Sequence, residues 1–311
     1  MPTYPDIHWV TEGTDFKDYR PAIGGNGKSV IFERTFLNTS IKTKLYKVDS
    51  LSGDTPVPIL PNLNTEQTRP DWCWKSGQVA FNRDNLIGII KTAGQASFFR
   101  STDNFFYPQW NADGSTLTVM NSSGSAGTVH PCSSVIDPKT GAVSILNING
   151  NDADGTAVYG GMPAVKPHST NHIAFAGQPA LDNWSPGSGT SYDQKNNYIF
   201  LNSPDRTGHF PSSPAETDAP IDSYDPDFQG RAPAWSPDGN FIVFESTRNG
   251  NAFALFLLTL GRDRVPVQLT DTVYEAQHAK FFPGGKRLIF CAKPTPTSRN
   301  RIAWIDISDY V

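Results

Sequence analysis

Arg231-Ala-Pro-Ala-Trp-Ser-Pro-Asp-Gly239 leads into the apolar strand Asn240-Phe-Ile-Val-Phe244, the polar turn Ser246-Thr-Arg-Asn-Gly250, an apolar run from Ala252 to Leu260, and the close Val267-Gln-Leu-Thr270. In the turn Pro237-Asp238-Gly239, proline fixes φ, aspartate bonds the amides ahead of it, and glycine takes the positive φ. Short apolar runs between such turns describe a small antiparallel sheet. Similar openings recur at Tyr107-Pro-Gln-Trp-Asn-Ala-Asp-Gly114 before Leu117, at Arg69-Pro-Asp-Trp72 through Gly77 before Val79, and at Arg20-Pro-Ala-Ile23 through Gly27 before Val30. Two degenerate copies complete the set: Met162-Pro-Ala-Val-Lys-Pro167 before His172-Ile-Ala-Phe175, and His278-Ala-Lys-Phe-Phe-Pro-Gly-Gly285 before Arg287-Leu-Ile-Phe290.

Anchored on Pro21, Pro70, Pro108, Pro163, Pro233 and Ala279, the six units are spaced 49, 38, 55, 70 and 46 residues apart. Propeller blades repeat every ~40 to 50 residues, so the longer spacings carry insertions, at 178–197 and 203–230 in the fourth unit. The reading is all-β: one six-bladed β-propeller spanning 1–311, with four-stranded antiparallel blades starting near 20, 69, 107, 162, 232 and 278. Ile7-His-Trp-Val-Thr11 resembles the close of a unit, whereas the last unit stops after its third strand at Arg301–Ile307. The N-terminal strand is therefore expected to pair onto the last blade and close the ring. Composition agrees, with 26 Gly and 25 Pro among 311 residues.

Several function classes drop out early. A net charge of −4 offers no basic field for nucleic acid. No stretch approaches the ~18 to 20 apolar residues of a membrane span, and the start Met1-Pro2-Thr3-Tyr4-Pro5 has neither region of a signal peptide. A periplasmic or secreted location would require a signal already removed; otherwise the chain is cytoplasmic. Cys73, Cys132 and Cys291 lie far apart and read as buried thiols rather than a disulfide framework or a C-x-x-C metal site. Asp113 and Asp238 are turn formers, and Trp72, Trp110 and Trp235, in one repeat position, are packing residues between blades.

The pattern x-Pro-x-Trp-Ser-Pro-Asp-Gly-x-x-Ile-x-Phe, nearly whole from Ala232 to Phe244, resembles the PD40 repeat of TolB-like, WD40-like six-bladed propellers. Members include a periplasmic protein that binds a lipoprotein, propeller domains of some peptidases, and oligogalacturonate lyases. The Tol protein's extra N-terminal α/β domain has no counterpart here. The resemblance implies that each blade's first strand lines the channel, so that Arg20, Arg69, Tyr107, Arg231 and His278 gather near its mouth. Guanidiniums at one axis suit a carboxylate, phosphate or acidic sugar, because each offers a planar fork to two oxygens. The competing reading pairs each arginine with a local acid such as Asp18, Asp71 or Asp227.

Trp184 and Tyr224, in the two insertions of the fourth unit, are further binding candidates, since long loops on a rigid scaffold often carry ligands. Asn151-Asp-Ala-Asp-Gly155 reads as a turn, because it lacks the full calcium-loop pattern. No Gly-x-Ser-x-Gly elbow occurs, and no H-E-x-x-H or H-x-H spacing. No catalytic residue and no metal ligand set is nominated. The first expectation is thus a non-catalytic propeller that binds a protein or carbohydrate ligand at the channel mouth without a cofactor. The alternative is a metal-assisted lyase or hydrolase acting on an acidic oligosaccharide, which the likeness to oligogalacturonate lyases implies through His278 and a divalent metal.

Overall fold

A computed structural model describes residues 3–311 except 85, 93–94, 100–104, 124–129, 146–147, 149–157, 170–171, 180–196, 203–211, 216–227 and 262–264. Its strands form six separate four-stranded antiparallel sheets. From the channel outward, blade one is Phe16–Ile23, Val30–Phe36, Lys44–Val48 and Val57–Pro58. Blade five, the unit with the fullest repeat, is Gly230–Trp235, Phe241–Ser246, Ala254–Thr259 and Val267–Gln268. The inner strands of blades two, three, four and six are Thr68–Trp72, Phe106–Trp110, Val158–Val165 and Gln277–Phe281.

Ring closure follows the sequence expectation. Blade six takes its outermost strand, His8–Trp9, from the other end of the chain, with His8 opposite Trp304 and Trp9 opposite Ala303. Val10 N–H donates to the Ile302 carbonyl at 2.8 Å, and the Ile302 N–H donates to Thr11 Oγ1 at 3.0 Å. Residues from both ends thus share one sheet, which removes a free edge at the join.

The hydrophobic repeat explains how the blades pack. Phe32, Phe81, Phe175, Phe244 and Phe290 occupy one position of the second strand, and each is fully buried. In blade five, Phe244 stacks on Phe256 with centroids 5.9 Å apart. Burying each such ring contributes about 1.5–3 kcal/mol relative to exposure. The Asp-Gly turns behave as read: Asp238 Oδ1 accepts the Asn240 N–H at 3.1 Å, and Gly239 follows with φ +72°. Asp113 Oδ1 likewise accepts the Ser115 N–H at 2.7 Å. All three cysteines are buried free thiols.

One irregularity repeats in all six blades. Between the first and second strands the register shifts, and at each shift one non-glycine residue adopts a left-handed backbone: Arg20, Arg69, Tyr107, Met162, Ala232 and His278, with φ between 42° and 54°. A β-bulge bends its strand and releases one residue from the ladder. A left-handed non-glycine residue costs free energy and persists only where its surroundings hold it. In four of the six blades the preceding blade does so. The N–H of Arg69 donates to Glu33 Oε1 at 2.6 Å, that of Tyr107 to Asn82 Oδ1 at 3.1 Å, and that of His278 to Glu245 Oε2 at 2.6 Å. The Arg20 amide is similarly placed against the Cys291 thiol. Each acceptor directly follows one of the repeated phenylalanines, so the side chain that holds a kink belongs to the preceding blade of the ring.

Candidate functional site at the channel mouth

The six kinked residues form one level of the channel, because they occupy one repeat position on six inner strands. Arg20, Arg69, Tyr107, Met162, Ala232 and His278 all border a small cavity of about 40 Å³ on the axis. Met162 and Ala232 were missing from the sequence-based set. Arg231 sits one residue earlier than expected: Ala232 takes the kink, while Arg231 pairs across the sheet with Glu245. The Pro233 anchor was right, but the residue before it is alanine.

Two mouth arginines carry their own carboxylates. Arg20 Nη1 donates to Glu33 at 3.0 and 3.2 Å, and the Arg231 Nε donates to Glu245 Oε1. Glu33 and Glu245 are almost fully buried. Both acids escaped sequence reading, which looked to Asp18, Asp71 and Asp227 instead. Asp18 makes a two-bonded pair with Arg34, both contacts 2.7 Å, and Asp71 lies 3.6 Å from Lys280. Asp227, Trp184 and Tyr224 fall outside the described residues. The inner strand of blade four starts at Val158, opposite Pro179.

Arg69 differs from the other two. No described carboxylate pairs with it; its guanidinium stands 4.6 Å from the Tyr107 ring centre and 5.5 Å from that of Phe106, and Nη1 meets only Thr68 Oγ1 at 3.4 Å. Its Nε is buried without a hydrogen-bond partner among the described residues. Cation–π contact orients the group without neutralising it. Tyr107 also reaches towards Arg20, whose Nη2 is 3.5 Å from the phenol oxygen.

His278 is buried edge-on against Tyr19, with ring centres 4.7 Å apart, and its Nδ1 is 3.8 Å from Glu245 Oε2. Burial, then Arg20, Arg231, Lys280 and Arg69, hold its pKa well below the ordinary imidazole value. The ring is therefore neutral near pH 7, and its surroundings are cationic. Burial raises the carboxyl pKa of Glu245, with Arg231 pulling the other way. Among the described residues, no three His, Cys, Asp or Glu side chains converge as metal ligands. With arginines and a lysine around it, His278 does not fit a divalent-cation site.

A scan with protein-family models finds no match to the sequence, and neither does a comparison with curated protein sequences. Solved structures do match. A putative TolB from Agrobacterium tumefaciens superposes with a TM-score of 0.57 at 12% identity, over 82% of this chain and 81% of that one. TolB from Acinetobacter baumannii gives 0.56 at 14% identity, covering 94% of this chain but only 63% of its own. XC5397 from Xanthomonas campestris, described as a gluconolactonase, gives 0.57 at 10% identity over 98% and 97%. At such identities the likeness concerns fold alone, and these folds serve different functions. The chain is a six-bladed β-propeller with the fold seen in TolB proteins.

Proposed function

We propose that this propeller is a binding module that receives a carboxylate of a protein or carbohydrate ligand at the channel mouth, on Arg69. The observation that carries the reading is the inequality among the three arginines. Arg20 and Arg231 are matched by Glu33 and Glu245, which leaves Arg69 as the mouth guanidinium without an acid among the described residues. A planar guanidinium offers a carboxylate two parallel hydrogen bonds. Tyr107 beside it supplies a phenol, and neutral His278 adds no competing charge. The small cavity suits an inserted carboxylate rather than a whole sugar ring, so the rest of the ligand would lie over the mouth.

The lyase or hydrolase alternative draws less support, because the group it would place on a metal stands among cations. Calorimetric titration of galacturonate oligomers and of a peptide with a free C-terminal carboxylate, on wild type and Arg69→Gln, tests the proposal. Charge-assisted hydrogen bonds contribute about 1.5–3 kcal/mol, so the substitution should weaken binding roughly 10- to 100-fold. Equal affinity in both proteins would refute the role of Arg69.

A further inference from the structure

The inner strands carry a second informative level, two residues beyond the kinks. One repeat position holds Ala22, Asp71, Gln109, Ala164, Ala234 and Lys280. Three blades contribute alanine there, and blades two, three and six contribute an acid, an amide and an amine. Blades three and six face each other across a six-membered ring, and Lys280 Nζ donates to Gln109 Oε1 at 2.6 Å. The same ammonium lies 3.6 Å from Asp71 Oδ1, while Asp71 Oδ2 accepts the Trp110 N–H at 2.7 Å. These side chains span the channel and separate the mouth from a larger cavity of about 510 Å³ at the end where the Asp-Gly turns lie.

That cavity combines fixed aromatic walls with a polar floor. Trp72, Trp74, Trp110 and Trp235 all border it. The indole N–H of Trp74 donates to the Ile23 carbonyl of blade one at 2.8 Å, and that of Trp235 to the Ala164 carbonyl of blade four at 3.0 Å. Two rings are thereby locked across blade boundaries. Trp110 is 8% exposed, yet its indole N–H has no partner among the described residues. On the floor, Lys280 donates one hydrogen bond, to Gln109, and makes a looser 3.6 Å ion pair with Asp71, while the Gln109 amide nitrogen makes no described hydrogen bond. Small-molecule sites are apolar hollows of about 300–1,000 Å³ with a few placed polar groups, which describes this cavity.

We infer that this cavity, at the opposite end of the channel from Arg69, is a second binding site, for a neutral saccharide. Tryptophan surfaces accept the C–H faces of sugar rings, and unfilled N–H donors on Lys280 and Gln109 suit hydroxyl and ring oxygens. The Asp71–Lys280 pair balances the floor's charge, so it selects for oxygen acceptors rather than an anion. The volume admits one or two rings, in contrast to the mouth. The Lys280–Gln109 contact lies between this site and the mouth, and both side chains border each cavity, whereas Arg69 borders only the mouth.

The test follows tryptophan fluorescence and calorimetry of the whole chain with maltose, cellobiose, lactose and N,N′-diacetylchitobiose. Trp74→Ala removes a wall that is 41% exposed, and Gln109→Leu removes a floor donor without breaking the ion pair. At least one disaccharide should bind with a fluorescence change, each variant should weaken it about tenfold or more, and Arg69→Gln should leave it unchanged. Three results overturn the inference: no disaccharide binds at millimolar concentration, binding is lost in Arg69→Gln but kept in both cavity variants, or indole and benzoate bind more tightly than any sugar. Circular dichroism of both variants establishes that any loss is not unfolding.

Discussion

Replacing Glu245 by leucine probes the device that holds the channel residues in their kinked conformation. Glu245 is completely buried, pairs through Oε1 with Arg231, and accepts the His278 N–H on Oε2 at 2.6 Å. Leucine keeps most of the volume but leaves the guanidinium without its acid and the amide of a left-handed residue without an acceptor. Removing one partner of a buried pair costs about 3–5 kcal/mol. Because the Arg231 side chain is 23% exposed, water recovers part of that, and we expect about 2–4 kcal/mol. In a chain of 311 residues, that corresponds to a fall in Tm of roughly 3–6 °C. Urea unfolding followed by circular dichroism gives the free energy directly. Asn82→Leu, which removes a neutral acceptor for the Tyr107 N–H, should cost less, about 1–3 kcal/mol. A Glu245→Leu protein within 0.5 kcal/mol of wild type, or one less perturbed than Asn82→Leu, would refute the proposed hold between blades.

Two further perturbations address charge and ring closure. Burial and four cationic neighbours lower the folded-state pKa of His278, so the unfolded chain binds the extra proton more readily. Its contribution to stability is complete above about pH 6.5 and declines as pH falls below it, with a slope approaching 1.4 kcal/mol per pH unit. Urea midpoints from pH 8 to 5 should show this decline in wild type and a flatter profile in His278→Gln; parallel profiles would contradict it. Val10, 2% exposed and packed with Ile289 and Ile302, joins the N-terminal strand to blade six. Val10→Asp should destabilise by about 3–5 kcal/mol, whereas His8→Asp two residues earlier, where His8 is exposed, should stay within ~1 kcal/mol. Similar effects from both would deny the strand its closing role.

Much of the architecture was legible because its signals are local and repeat. Pro-x-Trp openings, Asp-Gly turns and the unfinished sixth unit set blade number, blade order and the source of the last strand. The three tryptophans were read as packing, and Trp110 does lie in a core cluster with Cys73 and Phe105. Trp72 and Trp235 are half-buried: they pack against core clusters that join blades one and two and blades four and five, and they also border the larger cavity. The mouth was partly legible. Arg20, Arg69, Tyr107 and His278 share the expected level, while Arg231 lies one residue before it, paired with Glu245, and does not border the small cavity.

The acids that pair with the arginines were hidden because they lie across the sheet, on the second strand of the same blade, rather than beside the arginines in sequence. Glu33 serves Arg20 on its own blade and holds the Arg69 amide on the next. A usable signal did exist. Glu33, Asn82 and Glu245 each follow a repeated phenylalanine, so one column of an otherwise apolar strand carries polar residues, and a buried polar residue needs a fixed partner. The Asp71, Gln109 and Lys280 column could be found in the same way, but that Lys280 meets Gln109 requires opposite blades of a closed six-fold ring.

The central claim, that the mouth receives a carboxylate, is tested most directly by one pair of titrations on the wild-type protein. The same short peptide is offered with a free C-terminal carboxylate and with an amidated C-terminus, and a galacturonate oligomer is compared with its methyl ester. For whichever ligand binds, the account predicts a roughly 10- to 100-fold preference for the free acid, the strength of a charge-assisted pair with Arg69. Equal affinity for acid and neutral forms, or no binding of any of the four, would contradict it.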